Sequence, residues 1–523
     1  LRAHHTGTSG MKIDVAIIGA GHNGLVAATY LARAGLQVEI FERRATPGGA
    51  TLNEELWPGY TFSTGAHLLH AIPAQLVREL GLVEHGMVTL PRDEVIYLKR
   101  DGTYDSNLDF DRPNHATARA KLSADELAGL TRYNTFKSQL LDLIRPYLLT
   151  VPPSTEELQR AAVGTVAEEA LRLATTLSLW ELHDHFLPTA RLRERVVSEC
   201  SAFACNPGAF ALAYGAIDWP DPVTGKKGPW GFVRGGMGRL AETLVAIAQS
   251  AGVVIHTNSA VKAITVAHGR ATGLQLVDGR TIRAQRVLST ADPKLTFLKL
   301  LGASEVDPSL RQRIGALNSH VSCFKFLAVI DELPEWRGWD GDPDLPHRGS
   351  IQLEMTRAAI TTAYAELAAG LPPTRPMMSF NLPSWLDDSL APPGKHTASV
   401  YVYPAPAKLA HGTWDDCREA VAESIIDQIT DYAPNFRRSV RHYELRTPLD
   451  LERKLALTDG CIWHLQHTPE LLLGNRPLPE LSHYRAPIGG LYLGGAGQHP
   501  GGEVSGIPGH NAAHELLKDL SLA

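Results

Sequence analysis

The sequence predicts an α/β fold in which a Rossmann-like domain, assembled from separated stretches of chain, receives an inserted domain of mixed sheet and helices. Three observations carry this expectation. A strand–glycine turn–helix–strand unit lies near the amino end, a second strand–glycine turn–helix corner lies at the carboxyl end, and helical and strand patterns of another kind fill the interval.

Residues 12–19 read KIDVAIIG, a nearly continuous β-branched run of the kind a buried parallel strand needs. Residues 23–34 carry small and apolar side chains at helical spacing, and Gly35 stands where a helix ends at positive φ. QVEIFE at 37–42 forms the next strand pattern, completing a βαβ unit. From about 110 to 230 the chain reads as a helical insertion. SADELAGLTRYNTFKSQLLDLI and TVAEEALRLATTLSLWELHDHF alternate there with breaks at Pro152–Pro153 and Pro188. Residues 234–292 return to α/β chemistry: a glycine-led helix, then four short strand patterns, with Asp278–Gly279 marking a hairpin. Residues 321–330 and 396–404 read as strands of a second sheet. The expected division is 11–80, 231–300 and 481–523 for the dinucleotide-binding domain. A substrate domain then takes 81–230, with the helical insertion, and 301–480.

Bulk properties fit this organisation. A chain of 523 residues suggests two or three domains, and 44% hydrophobic with 20% charged residues is an ordinary globular balance. The net charge of -6 is scattered, so nothing directs the protein to nucleic acid, and short basic pairs such as Arg43–Arg44 and Lys226–Lys227 read as solvated surface. Five cysteines (Cys200, Cys205, Cys323, Cys417, Cys461) are too few and too irregular for a disulfide framework or a zinc site, and their odd number fits a reducing, cytoplasmic compartment. The opening LRAHHTGTSG has no apolar core and precedes Met11, so it reads as a leader left from cloning and not as a secretory signal. No run of about 18 uncharged apolar residues is present for a spanning helix, which leaves peripheral membrane contact open.

Gly19-Ala20-Gly21-His22-Asn23-Gly24 is GxGxxG between a strand and a helix. Gly19 permits the tight turn, Gly21 lets a diphosphate approach the backbone, and Gly24 lets the helix pack on the strand. The diphosphate then meets the unpaired N–H groups of the helix start. Glu42, eighteen residues after Gly24 at the end of the next strand, is placed to accept from a ribose hydroxyl pair, and Arg43 follows it. Two features favour FAD over NAD. A glycine pair, Gly48–Gly49, comes directly after this acidic strand end, and the second glycine corner about 470 residues later suits an extended cofactor gripped from two ends.

IIGAGHNGLVAATYLARAG, PGGATLNEELWPGYTFSTGAHLL, RGGMGRLAETLVAIAQSAG, VLSTADPKLTF and GGLYLGGAGQHPGGEVSGIPGHNAAHEL together resemble the phytoene dehydrogenase-like flavoproteins, covering about half of the chain. The closest resemblance is to the branch of pyridine nucleotide-disulfide oxidoreductase domain-containing proteins. It implies a glutathione-reductase-type FAD-binding domain and an FAD-dependent oxidoreductase. It also implies that Gly48, Gly49 and Ala50 pass near the flavin, that Val261 offers its backbone to the adenine, and that Gly495, Glu503 and Val504 line the diphosphate and the pyrimidine edge. A helix from about Ile507 would point its N-terminus there, where negative charge develops on reduction. Ala50 departs from the arginine usual after the glycine pair in carotenoid desaturases and amine oxidases, which weakens transfer of either activity. The branch name promises a redox disulfide, but the chain contains no CxxC, so disulfide exchange is rejected.

Flavin oxidations of this class take hydride from carbon, with a base where a double bond forms. The candidate bases are His499 in the terminal glycine turn and His67 in STGAHLLH, with His70 and Glu503 behind them. His464 and His467 have the spacing of one helical face but no completing ligand, so no metal is expected. Trp57, Tyr60, Trp463 and Tyr484 are aromatic candidates for a cavity wall or, more simply, for core packing. The expected function is removal of hydride from a small, largely apolar, isoprenoid- or carotenoid-like molecule. A flavin amine oxidase or carotenoid ketolase is the alternative chemistry, and a non-catalytic lipid-binding escort on the same fold is the alternative class.

Overall fold

The computed structural model describes residues 13–69, 71–91, 95–106, 122–196, 223, 225, 231–353 and 356–521; His70, Cys200, Cys205 and Lys226–Lys227 lie outside them. The β-branched run forms strand β1 (Ile13–Ile18), whose last four residues are buried. Helix α1 (His22–Arg33) follows the glycine turn, and β2 (Val38–Phe41) pairs parallel to β1 with Ile17 opposite Ile40. Gly35 takes φ 91, as the end of this helix requires.

A hairpin, β3 (Asn53–Trp57) and β4 (Tyr60–Ser63), leads away from this unit, and β5 (Val95–Leu98) and β6 (Tyr104–Ser106) form the edge of another sheet. The helical insertion contains α2 (Ala124–Ile144), α3 (Ala167–Thr176) and α4 (Leu179–Phe186). The pattern read through 165–186 is therefore two helices. Leu177 is extended, and Ser178 and Glu181 exchange side-chain and backbone hydrogen bonds in a capping box that starts α4 afresh.

Helix α5 (Met237–Ser250) is followed by β7 (Val254–His256), β8 (Val261–Ala267), β9 (Arg270–Leu276) and β10 (Thr281–Ser289). Gly279, at φ 92, turns the chain between β9 and β10 where Asp278–Gly279 is expected to. Strand β10 belongs to two ladders. Thr281–Arg283 pair antiparallel with β9, whereas Ala284–Ser289 run parallel beside β1.

The second sheet takes β11 (Val321–Ile330), β12 (Ser350–Leu353), β13 (Met377–Asn381), β14 (His396–Pro406) and β15 (Val440–Arg446), with α6 (Arg357–Ala368) between β12 and β13. Its order is β15–β11–β14–β13–β12–β5–β6, so stretches before and after the dinucleotide-binding elements build one sheet. Helix α7 (Pro448–Leu455) then leads to β16 (Leu491–Leu493) and α8 (Ile507–Ser521). Strand β16 pairs parallel with the end of β10, giving a parallel order β16–β10–β1–β2–β7 drawn from three parts of the chain. Helix α1 packs against both α5 and α8, which closes the amino and carboxyl ends on each other.

Alternation along the second sheet decides where the site lies. Phe324, Phe326, Val400, Val402, Met378 and Phe380 face one core, each stabilising it by about 1.5–3 kcal/mol. Cys323, Lys325, Ser379, Tyr401 and Tyr403 face the other way. A separate apolar cluster joins α2, α3 and α4 to Ile360 of α6, Met377 and Tyr403, so the helical insertion packs over that polar face. Among the described residues no helix is long and apolar enough to cross a membrane.

Candidate active site

One cavity of about 740 Å³ connects the two glycine corners to the polar face of the second sheet. Its cofactor end is built from the turn after β1. A Cβ on Gly24 would lie 2.1 Å from the Gly19 carbonyl oxygen, and one on Gly19 would lie 2.7 Å from Thr290 Oγ1, so only glycine allows strand, turn and helix to meet. Glu42 is buried, and its carboxylate accepts from the backbone N–H of Ala20 at 2.8 Å and of Arg44 at 2.9 Å. Two backbone donors hold it at the cavity wall, where its remaining lone pairs are available to a ligand.

Gly19, Gly21, Glu42, Arg43, Gly49, Ala50, Val261, Glu503, Val504 and His67 all border this cavity, although they come from five separated stretches of chain. Gly24 sits inside the turn; Gly48, at φ 133, packs on Ala241 and Leu52; and Gly495 packs on the Thr290 carbonyl beside the cavity-lining Ala496. His499 lies elsewhere. It is fully buried, its Nε2 meets the Tyr147 carbonyl oxygen at 3.1 Å, and burial pushes its pKa down to about 3. The structure therefore makes it a neutral joint between the terminal turn and the helical insertion. His464 and His467 lie in a stretch of turns, with His464 at φ 62, so the expected helical face is not formed. Trp463 lines the cavity, while Tyr484 donates to the His499 carbonyl in the core.

Residues outside the sequence expectation complete the site. Arg44 Nη1, His22 Nε2 and Asn23 Oδ1 are buried at the cavity wall without hydrogen-bond partners. The Arg44 nitrogen is a donor that fits a phosphate oxygen and the Asn23 amide oxygen an acceptor that fits a ribose hydroxyl, since leaving such groups dry costs about 1–3 kcal/mol each. Burial, and then the neighbouring His464, lower His22 to about 4, so its ring is neutral. Arg476, fully buried, donates to the carbonyl oxygens of Trp463, Leu465, Gln466, Leu471 and Ala496 at 2.8–3.1 Å. It ties the loop after α7 to the terminal corner, both of which wall the cavity.

At the far end, Lys325 is 1% exposed and its Nζ has no hydrogen-bond partner. Burial lowers its pKa to about 7, and the same burial pushes the Cys323 thiol up to about 11. Lys325 Nζ stands 5.7 Å from the Tyr401 ring centroid, and the His67 ring lies 5.5 Å from the same ring. The sequence signal for Lys325 was a lone cation within ten residues of otherwise strand-forming VSCFKFLAVI. Cys323, Cys417 and Cys461 are free thiols.

A dinucleotide corner, a second glycine corner closing on it and an adjoining chamber define an FAD-dependent oxidoreductase. The comparisons agree: residues 24–509 match the flavin-containing amine oxidoreductase family, to which the chain belongs. It is similar to pyridine nucleotide-disulfide oxidoreductase domain-containing protein 2 of Mus musculus, 33% identical over 97% of this chain and 94% of that protein. One of the subunits of limonene dehydrogenase from Castellaniella defragrans is 27% identical over 98% of this chain and 95% of its own. Among solved structures, an oxidoreductase from Methanosarcina mazei superposes with a TM-score of 0.60, covering 97% of this chain and 100% of that one, at 19% identity. The expected branch, cofactor and enzyme class are thereby supported, together with a mixed α/β fold of flavin amine oxidase type.

Proposed function

We propose that the enzyme dehydrogenates a small, largely apolar molecule, isoprenoid-like in its body, leaving a C=C bond. The observation that carries this reading is the continuity of the cavity from the cofactor corner into a chamber walled by Leu451, Leu455, Ile462 and Trp463. The dehydrogenation of limonene named for a relative supports it. Bound FAD supplies the hydride acceptor. The chain's own residues do the rest. Glu42 accepts from the adenosine ribose, the N–H groups opening α1 and the unpartnered Arg44 Nη1 meet the diphosphate, and Gly49 and Ala50 let the backbone run beside the flavin. His67, on the chamber wall, is the group positioned to take a proton from the substrate carbon's neighbour. The apolar walls exclude water from the chamber.

The domain division at 11–80, 231–300 and 481–523 against 81–230 and 301–480, and the glutathione-reductase-type arrangement of the first, belong to the same proposal. The parallel order β16–β10–β1–β2–β7 supports them. A second reading, oxidation of an amine to an imine, has the family description in its favour.

The test is anaerobic mixing of FAD-loaded protein with monoterpenes, longer isoprenoids and aliphatic amines, reading loss of flavin absorption. Bleaching by isoprenoids supports the first reading; bleaching by amines alone replaces it with the second. His67→Ala is expected to retain FAD and to slow bleaching by about 100-fold or more.

A further inference from the structure

His22 opens helix α1 and borders the cofactor end of the cavity. Its ring is hydrogen-bonded to the backbone carbonyl of Glu503, and its Nε2 has no partner. A neutral imidazole carries a single N–H, so one of its two nitrogens is a bare lone pair. If the N–H points at the Glu503 carbonyl, Nε2 is an acceptor; in the other tautomer a lone pair faces that carbonyl. The oxygens of a diphosphate diester are acceptors at neutral pH. Either neutral tautomer therefore sets one lone pair against an oxygen, and only the doubly protonated ring donates to both.

The groups around the ring do not supply that positive charge themselves. Glu42, Asp292 and Glu503 border the cavity with carboxyl groups. Arg43 reaches out to the Arg453 carbonyl, and Arg44 is shared with Glu54, which Arg446 also engages. A diphosphate dianion entering at this end meets Arg44 against those carboxyl groups. His464, in the loop after α7, borders the cavity too, with its Nδ1 buried and unpartnered. Arg476 opposes a charge on His464, whereas among the described residues the charge opposing one on His22 is that of His464. Of the two rings, His22 is the one an anion can charge.

Resting on the placement of the diphosphate at the start of α1 proposed above, we propose that FAD binding takes one proton from solution onto His22, whose imidazolium then donates to the Glu503 carbonyl and to a diphosphate oxygen. The proton enters at the nitrogen that was a lone pair, and no covalent bond to the cofactor forms or breaks. His22 is a cofactor-binding residue here, and His464 stays neutral beside it. Burial, and then His464, hold the His22 ring at a pKa of about 4, and an opposite charge in contact raises such a group by about 1–3 pH units. Since the bound state holds the proton more tightly than the free one, FAD affinity is greatest in acid and falls as the pH rises through the window between the two values.

The experiment follows FAD release from the loaded protein by flavin fluorescence on serial dilution, from pH 5 to 8 at constant ionic strength. The wild-type Kd is expected to rise by about 10-fold or more from pH 5 to pH 7 and to level off above. His22→Gln keeps a neutral donor without a titration; it should flatten the profile and match wild type within about 3-fold at pH 8. His464→Gln should keep the rise. A ring that only packed the turn would, when replaced, weaken FAD equally at every pH. A level wild-type profile, or a rise that survives His22→Gln, overturns the proposal. If His22→Gln holds no FAD, calorimetry of FAD added to flavin-stripped wild type, at pH 5 in buffers of unlike ionisation enthalpy, counts the proton directly. Uptake approaching one proton per FAD supports the proposal and uptake near zero overturns it. Competition by ADP separates the two readings. ADP that fails to displace FAD sinks the diphosphate placement and the proton with it, whereas ADP that competes while the profile is level sinks the proton alone.

Discussion

Replacing Lys325 by Met should make the protein more stable, and the gain should depend on pH in a way that packing cannot imitate. Burial lowers Lys325 from 10.5 to about 7, with Arg446 opposing its charge and the Cys323 thiol favouring it. At about 1.4 kcal/mol per pH unit, that difference opposes folding by about 5 kcal/mol well below pH 7 and by about 4 at pH 7, where the folded-state amine is half neutral. Between about pH 7 and 10.5 the folded state binds fewer protons at this site than the unfolded chain, so its contribution to stability rises with pH across that window. Methionine fills nearly the same volume and has no such titration, so its advantage should be largest below pH 7 and should fade toward pH 10.5. Urea midpoints of wild type and variant, measured at several pH values in carboxylate-free buffer, give the difference directly. A gain of about 2–4 kcal/mol near pH 7 that shrinks on raising the pH is expected. A variant less stable than wild type at pH 7, or a difference independent of pH, would refute the picture of a functional amine held at the expense of the fold.

Glu42→Ala removes the carboxylate that Ala20 and Arg44 hold at the cavity wall, and should weaken FAD binding by about 10-fold or more while the secondary structure persists; equilibrium dialysis reads the affinity, and unchanged retention would dismiss the ribose role. Gly24→Ala puts a methyl group 2.1 Å from the Gly19 carbonyl and should destabilise by about 3 kcal/mol or more, with loss of FAD; a urea midpoint near wild type would show that the turn yields. Arg476→Met leaves five backbone carbonyls without their donor and should lower stability by about 3–5 kcal/mol, releasing FAD before global unfolding. Coincident flavin release and unfolding at the wild-type midpoint would remove Arg476 from the account of the site.

Much of this was legible because local rules and tertiary structure agree. The run at 12–19, the GxGxxG turn and the acidic strand end specify one βαβ unit through backbone sterics and period alone, and β1, α1 and β2 fall within a residue or two of that reading. The hairpin at Asp278–Gly279 and the strand at 321–330 are legible for the same reason. The break inside 165–186 was harder to see, since apolar spacing continues across it and its local mark is the Ser178–Glu181 capping box that starts the second helix after the extended Leu177. Long-range partners were invisible. His499 stands in a glycine turn beside the cofactor corner in sequence, but its ring meets a carbonyl 352 residues away in the helical insertion. Lys325 was visible as an oddity, yet which face of β11 it takes depends on β14 and β13 pairing in register beside it. Arg44 differs from Arg43 in that Arg43 reaches the Arg453 carbonyl at the surface while Arg44 keeps a buried, unpartnered nitrogen, a distinction set by Glu54 and the fold around it.

The central claim is that both ends of the chain close around one flavin. Absorption spectroscopy of the purified protein, before and after denaturation and with the released chromophore weighed by mass spectrometry, tests it most directly. The account predicts the two-banded visible spectrum of oxidised flavin and one FAD per chain. A colourless protein that takes up no added FAD would contradict it and turn the fold toward the binding of apolar molecules without redox chemistry.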